Sequence, residues 1–356
     1  MNDMMPVRHA SLLPADAIDC DLHHPSPTMA ELMPFLDAVW KDLIASRGIT
    51  QLDSIAYPEN APITGRPDWR EGATTPERLV ADALDGFGAR IGILNNLCGV
   101  SMLYDAYMAA AVTKAVNDWT RAEWLDRNVR LRASILVPLQ DIDAAVREIE
   151  RCAEDRRFVQ VLLPSAMHAP YGHRSHWPIF EAANRHGLPI GIHAGSAYHH
   201  PVTSLGWPST VSEDVAAQSQ IMQSQLASLV TEGVFREFPE LKVVLIEAGV
   251  SWLPAFLWRF QKFWKGLRFE TPWVERPPAE IIREHVRLTT QPFDAPQDAA
   301  IVSRILDQIG CDDMLLYASD YPHWHFDGNA VLPAGFDTDR VARIASTNPR
   351  ATYSRL

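Results

Sequence analysis

At 356 residues with 47% apolar content, the chain is long enough for one large α/β barrel or two medium domains and can bury a substantial core. Its formal charge of −12 excludes a nucleic-acid surface, which draws on clustered Lys and Arg, and its four cysteines form no C-x-x-C pair, so neither a disulfide framework nor a structural zinc site is expected. No basic stretch followed by an apolar run opens the chain, and the most apolar segment, Lys242 to Phe260, is interrupted by Glu247, Ser251 and Pro254; the expectation is a soluble cytoplasmic protein with no membrane span.

Along the chain a short β-branched run, a polar turn and a helical pattern recur. The first predicted strand, Ile18–His23, places Asp19, Asp21 and His23 on one side and Ile18, Cys20 and Leu22 on the other. Three ionisable groups on one face of a buried strand cost several kcal/mol each unless paired or bound to a cation. A poorly periodic, proline-rich stretch follows at about 25–85, read as an enlarged loop carrying one helix near Met29–Ala45. Further strands are predicted at Arg90–Leu97, Leu131–Pro138, Phe158–Pro164, Leu188–Ala194, Lys242–Ala248, Val286–Gln291 and Met314–Asp320. Helices are predicted between them at Leu103–Arg127, Asp141–Asp155, Trp177–His186, Glu213–Glu232, Trp252–Lys265, Pro296–Ile309 and Thr338–Thr347, with an irregular insertion at Pro272–Pro278.

Several of these strands are continuous apolar runs, as parallel strands covered on both faces require. Eight strands alternating with helices read as a single (β/α)8 barrel domain over 1–356, with the insertion after its first strand. A doubly wound open sheet is the competing architecture, but no G-x-G-x-x-G follows any strand. The barrel is favoured by where the polar residues fall. The fifth strand ends in His193, the sixth in Glu247, and the eighth in Asp320 with His323 three residues on. Strand ends this far apart in sequence meet at the C-terminal face of a barrel, where barrel enzymes hold their active sites. Imidazoles with hard carboxylates and no thiolate suit Zn²⁺, Mn²⁺ or Fe²⁺.

With these residues in view, the set Asp21-x-His23, the strand-end His193 in I-H-A-G, and Ala318-Ser319-Asp320-Tyr321-Pro322-His323 resemble the amidohydrolase-related family of the amidohydrolase superfamily, which includes the aminocarboxymuconate-semialdehyde and γ-resorcylate decarboxylases. The resemblance runs from Ile18 nearly to the C-terminus. It implies a barrel enzyme with one or two divalent metal ions, acting on a small carboxylate-bearing molecule by hydrolysis or non-oxidative decarboxylation. By position it makes Asp21, His23, His193 and Asp320 metal ligands, with Asp320 doubling as general acid/base and His193 also at the reacting centre. Glu247 stands where the decarboxylases usually place a histidine, and with His323 it could hold a second cation. That pattern resembles a smaller branch in which two iron or manganese ions support O₂-dependent hydroxylation, the alternative activity; a non-catalytic subunit with a vestigial site is the third. Loops after the fourth and fifth strands offer His168, Tyr171, His173, His199 and Trp207 as substrate contacts, and Trp324 lies beside His323. The expected partners are a small-molecule substrate and a second copy of the chain, the latter through the tryptophan-rich Trp252–Trp273 region.

Overall fold

The computed structural model describes residues 13–56, 73–195, 200–323 and 332–356. Eight parallel strands run in sequence order: β1 (Ile18–Leu22), β2 (Ile91–Leu94), β3 (Leu131–Leu136), β4 (Phe158–Pro164), β5 (Ile190–His193), β6 (Val243–Ile246), β7 (Val286–Thr289) and β8 (Leu315–Leu316). Each pairs with the next in parallel. The sheet closes on itself through main-chain bonds between β1 and the extended residues after β8. Cys20 N donates to Tyr317 O at 2.9 Å, Asp320 N to Asp21 O at 3.1 Å, and His23 N to Tyr321 O at 2.7 Å. The (β/α)8 barrel expected from the strand–helix alternation is the fold.

The elements form where local chemistry favours them. The helix Ala106–Thr120 begins later than its apolar pattern because Asp105 accepts hydrogen bonds from the main chain of Tyr107 and Met108, capping it there. Its pattern continues to Leu125 as a π-helical turn. Asp141, Thr210 and Asp298 cap the helices Ile142–Cys152, Val211–Thr231 and Ala299–Ile309 in the same way. The eighth strand is shorter than expected because beyond Leu316 the main chain leaves β7: Tyr317 N donates to Ile344 O instead. Among the described residues, four α-helical stretches escaped the sequence pattern: Pro76–Leu79, which runs on into a π-helical turn, Val234–Glu237, Pro278–His285 and Asn348–Thr352. All but Val234–Glu237 have proline in the first turn, where the missing N–H costs nothing.

The floor of the barrel is filled by the segment following Thr352. The Arg355 guanidinium donates to the carbonyls of Ala153 and Phe158, Ser354 Oγ donates to Gly187 O, and Tyr353 is buried with its hydroxyl 3.2 Å from Gln160 Oε1. Among the described residues no helix is long and apolar enough to cross a membrane.

Candidate metal centre

Strand parity brings Asp19, Asp21 and His23 to the interior, and all three are buried. His23 Nε2 lies 3.2 Å from Asp21 Oδ1, 3.3 Å from Glu247 Oε1 and 3.1 Å from Asp320 Oδ1. His193 Nε2 lies 3.4 Å from Glu247 Oε1 and 3.9 Å from Asp21 Oδ1, and His323 Nδ1 lies 2.9 Å from Asp320 Oδ1. The six residues expected at the strand ends thus converge, five buried and His323 partly so.

They form two overlapping donor sets: Asp21, His23, His193 and Glu247 in one, His23, Glu247, Asp320 and His323 in the other. Within each set the ligand atoms lie inside 4.8 Å of one another. His23 Nδ1 donates to Asn95 O at 2.9 Å and His193 Nδ1 to Ala194 O at 2.8 Å. Those bonds fix both rings so that Nε2 faces the cluster. Neither Nε2 has a hydrogen-bond partner, and neither does Asp21 Oδ2, although all three are buried. Buried polar atoms left this way lose their hydration without return, and a cation at the centre of the cluster would satisfy them. The donor set of imidazole nitrogens and carboxylate oxygens fits a divalent ion.

The electrostatics agree. Burial works against ionisation of Glu247, yet His193, His23 and His323 together hold its carboxyl well below the usual range. Burial likewise opposes a charge on His23, and Asp21, Asp320 and Glu247 overcome it, raising the imidazole well above its ordinary value. Beneath them, burial pushes Asp19 up to about 7 despite bonds from Ser319 and Asp21. In the absence of a cation, a proton on His23 would offset these carboxylates, the part a metal ion would otherwise play.

A cavity of about 370 Å³ opens beside the cluster, lined by Glu247 together with Gly195, Asp214, Gln218, Ser251 and Asp294, among others. Gln218 bridges its wall: its amide donates to Asp214 Oδ2 at 3.0 Å and accepts from Gly195 N at 3.3 Å. Gly195 has φ +108°, and a Cβ there would sit 2.3 Å from the Ile55 carbonyl oxygen, so the wall requires glycine. Asp294 ties the loop after β6 by accepting from Val250 N, Ser251 N and Ser251 Oγ.

The loop residues named as substrate contacts are placed differently. His168, His173 and Trp207 are exposed, and none lines the cavity. Tyr171 is fully buried, its hydroxyl donating to Pro164 O at 2.6 Å, so it serves packing beneath the loop. His199 and Trp324 lie outside the described residues. Sequence reasoning passed over Asn95, Asp214 and Gln218. Asn95 carries a signal, being polar directly after the apolar run of β2, but as a neutral amide it lacks the charge that marks a strand-end imidazole or carboxylate.

The sequence model for Amidohydrolase matches residues 18–355, from the first strand to the floor of the barrel. The chain belongs to the amidohydrolase family. It is 26% identical over 298 residues to a γ-resorcylate decarboxylase from Rhizobium sp., a match covering 76% of this chain and 84% of that one. Two solved structures share the fold at 19% identity. The dihydroxybenzoic acid decarboxylase of Polaromonas sp., solved with manganese and the inhibitor 2-nitroresorcinol, superposes with a TM-score of 0.67 over 95% of this chain and 97% of its own. The 5-carboxyvanillate decarboxylase of Sphingomonas paucimobilis does so with a TM-score of 0.66 over 96% and 99%.

Proposed function

We propose that this amidohydrolase is a divalent-metal-dependent carboxy-lyase that removes CO₂ from a small carboxylated aromatic compound without net oxidation. The observation that carries this reading is the convergence of Asp21, His23, His193, Glu247, Asp320 and His323 on one buried centre beside a cavity. Two further points support it: the relatives named above are decarboxylases of hydroxylated benzoates, and one holds manganese. The cavity volume lies within the range typical of small-ligand sites.

A bound cation would supply a positive charge to anchor and polarise the substrate carboxylate and a neighbouring oxygen. No lysine or arginine is among the described residues lining the cavity, so the wall offers that carboxylate no countercharge of its own. His23 and His193 present Nε2 to the centre and Asp21 presents its carboxylate. Asp320, which accepts a hydrogen bond from His323 Nδ1, would deliver a proton to the ring carbon. The carbon–carbon bond to the carboxylate then breaks, CO₂ leaves, and the electron pair of that bond passes to the ring, which keeps the proton.

The test is to supply manganese-loaded protein with 2,6-dihydroxybenzoate, 5-carboxyvanillate and related hydroxybenzoates and to follow CO₂ release, oxygen uptake and deuterium incorporation in D₂O. CO₂ release with one ring deuteron per turnover and no oxygen uptake supports the reading. Binding of metal without CO₂ release from any of the panel counts against it. A second reading, a dinuclear O₂-using hydroxylase, is favoured by one specific observation: the two donor sets share His23 and Glu247. Two iron or manganese ions per chain with oxygen consumption would select it.

A further inference from the structure

Asn95 is fully buried directly after β2, and it touches both β1 donors of the centre. Its Nδ2 donates to Asp21 Oδ1 at 2.8 Å, and its main-chain carbonyl accepts from His23 Nδ1 at 2.9 Å. Between them, Asn95 N donates to Leu22 O at 2.8 Å. One residue therefore fixes the carboxylate through its side chain and the imidazole through its main chain.

The amide is itself held. Ser134 Oγ donates to Asn95 Oδ1 at 2.6 Å, and Gln160 Nε2 reaches the same oxygen at 3.2 Å. With two donors on that oxygen, the amide nitrogen must face Asp21. Gln160 Nε2 also donates to Ser134 Oγ at 2.9 Å, and Gln160 Oε1 accepts from the Tyr353 hydroxyl at 3.2 Å. From the barrel floor to the centre, donation runs in one direction: Tyr353 to Gln160, Gln160 to Ser134, Ser134 to Asn95, Asn95 to Asp21. Every member is buried, where hydrogen bonds in series polarise one another and the last of them meets a carboxylate.

We propose that Asn95 is the positioning residue of the metal centre, and that the Tyr353–Gln160–Ser134 chain holds its amide so that Asp21 is presented to the cation in one orientation. The proposal rests on the metal-dependent reading and goes beyond it, assigning control of cation affinity to residues outside the donor set. Partners that orient a ligand in this way change metal affinity by about 10- to 100-fold when removed.

The test uses the full chain, stripped of metal and titrated with Mn²⁺. Asn95→Ala is expected to raise the Kd for Mn²⁺ by about 10- to 100-fold and to shift the visible absorption of the Co²⁺-loaded protein, which reports ligand geometry. Ser134→Ala, which removes one donor and leaves Asn95 in place, is expected to raise the Kd several-fold, and it carries the test if Asn95→Ala does not fold. Unchanged Mn²⁺ affinity and an unchanged Co²⁺ spectrum in the folded variants would overturn this inference while leaving the metal-dependent reading intact. Failure of the wild-type chain to take up Mn²⁺ at all would overturn both.

Discussion

Glu247 and Asp320 share a left-handed backbone, at φ +54° and +55°, and among the described residues no other non-glycine residue has positive φ. Holding an L-residue there costs of order 1–3 kcal/mol; Glu247 stands directly after β6 and Asp320 in the extended segment after β8, with their carboxylates turned into one cluster. The strain is concentrated at the two positions where a carboxylate must face the centre.

That geometry makes Asp320→Asn an informative variant. Asparagine tolerates left-handed backbone at least as well as aspartate, so the change leaves the main chain in place while removing the charge that raises His323 and His23. Metal-free Asp320→Asn is expected to fold but to melt below the wild-type temperature near pH 7, while turnover falls by about 10²- to 10⁴-fold with the loss of the proton carrier. Calorimetry and the CO₂-release assay check the two halves; an undiminished rate would remove Asp320 from the chemistry.

Removing the metal should expose a pH dependence that the metal-bound protein lacks. Burial alone would depress His323, but the charge of Asp320 outweighs it, with hydrogen bonds donated by the imidazole to Asp320 and Glu247, and the imidazole is raised to about 9. A histidine raised in the folded state stabilises fully below its unfolded value near 6.5, and that contribution is lost as pH rises through about 9. Chelator-treated protein should therefore lose melting temperature between these limits more steeply than protein with stoichiometric Mn²⁺. Metal uptake near pH 7 should release protons, seen as heats that depend on the buffer's ionisation enthalpy. Equal slopes with and without metal, and buffer-independent heats, would contradict this.

His24 should govern the acid side. It is buried against the rings of Trp119 and Trp124, and burial lowers it to about 4. A depressed histidine contributes stability that is present above 6.5 and is lost as pH falls through about 4, on the order of 3 kcal/mol across that interval. His24→Phe keeps a ring between the tryptophans and removes the titration. Its denaturant midpoint should fall less than that of wild type from pH 6.5 to 4, and parallel curves would show that His24 is not the group responsible.

Gly191 crowds the polar chain inside the barrel. A Cβ there would lie 2.6 Å from the Gln160 amide carbon and nitrogen. Gly191→Ala must displace Gln160 and is expected to cost about 1–3 kcal/mol in chemical denaturation, the usual range for overpacking, with weaker Mn²⁺ binding. A variant as stable as wild type would show that Gln160 yields without consequence.

All eight strands were legible in sequence because most are short, largely apolar runs bounded by turn residues and β1 alternates apolar with ionisable ones, and strand-end polarity named the donor set because charge at the end of a buried strand demands a partner. What was not legible follows from the same physics. The Asn95 amide looks neutral in a search for charge, although it holds two of the donors. Asp214 and Gln218 reach the cavity from the face of a long helix whose sequence reads only as amphipathic. Tyr171 read as a loop aromatic free to meet a ligand, but its hydroxyl is spent on Pro164. The early end of β8 depended on a main-chain bond to Ile344, a contact that local pattern does not encode.

The seam between β1 and the residues after β8 is held by few main-chain bonds, and the donors stand on both sides of it: Asp21 and His23 on one, Asp320 and His323 on the other. An ion held by the second donor set, with His23 on one side and Asp320 and His323 on the other, would act as a clasp across the join, so the element that equips the barrel for chemistry would also keep it shut. Amide hydrogens flanking that join should then be the first to exchange when the clasp is withdrawn, well before the strands on the far side of the ring.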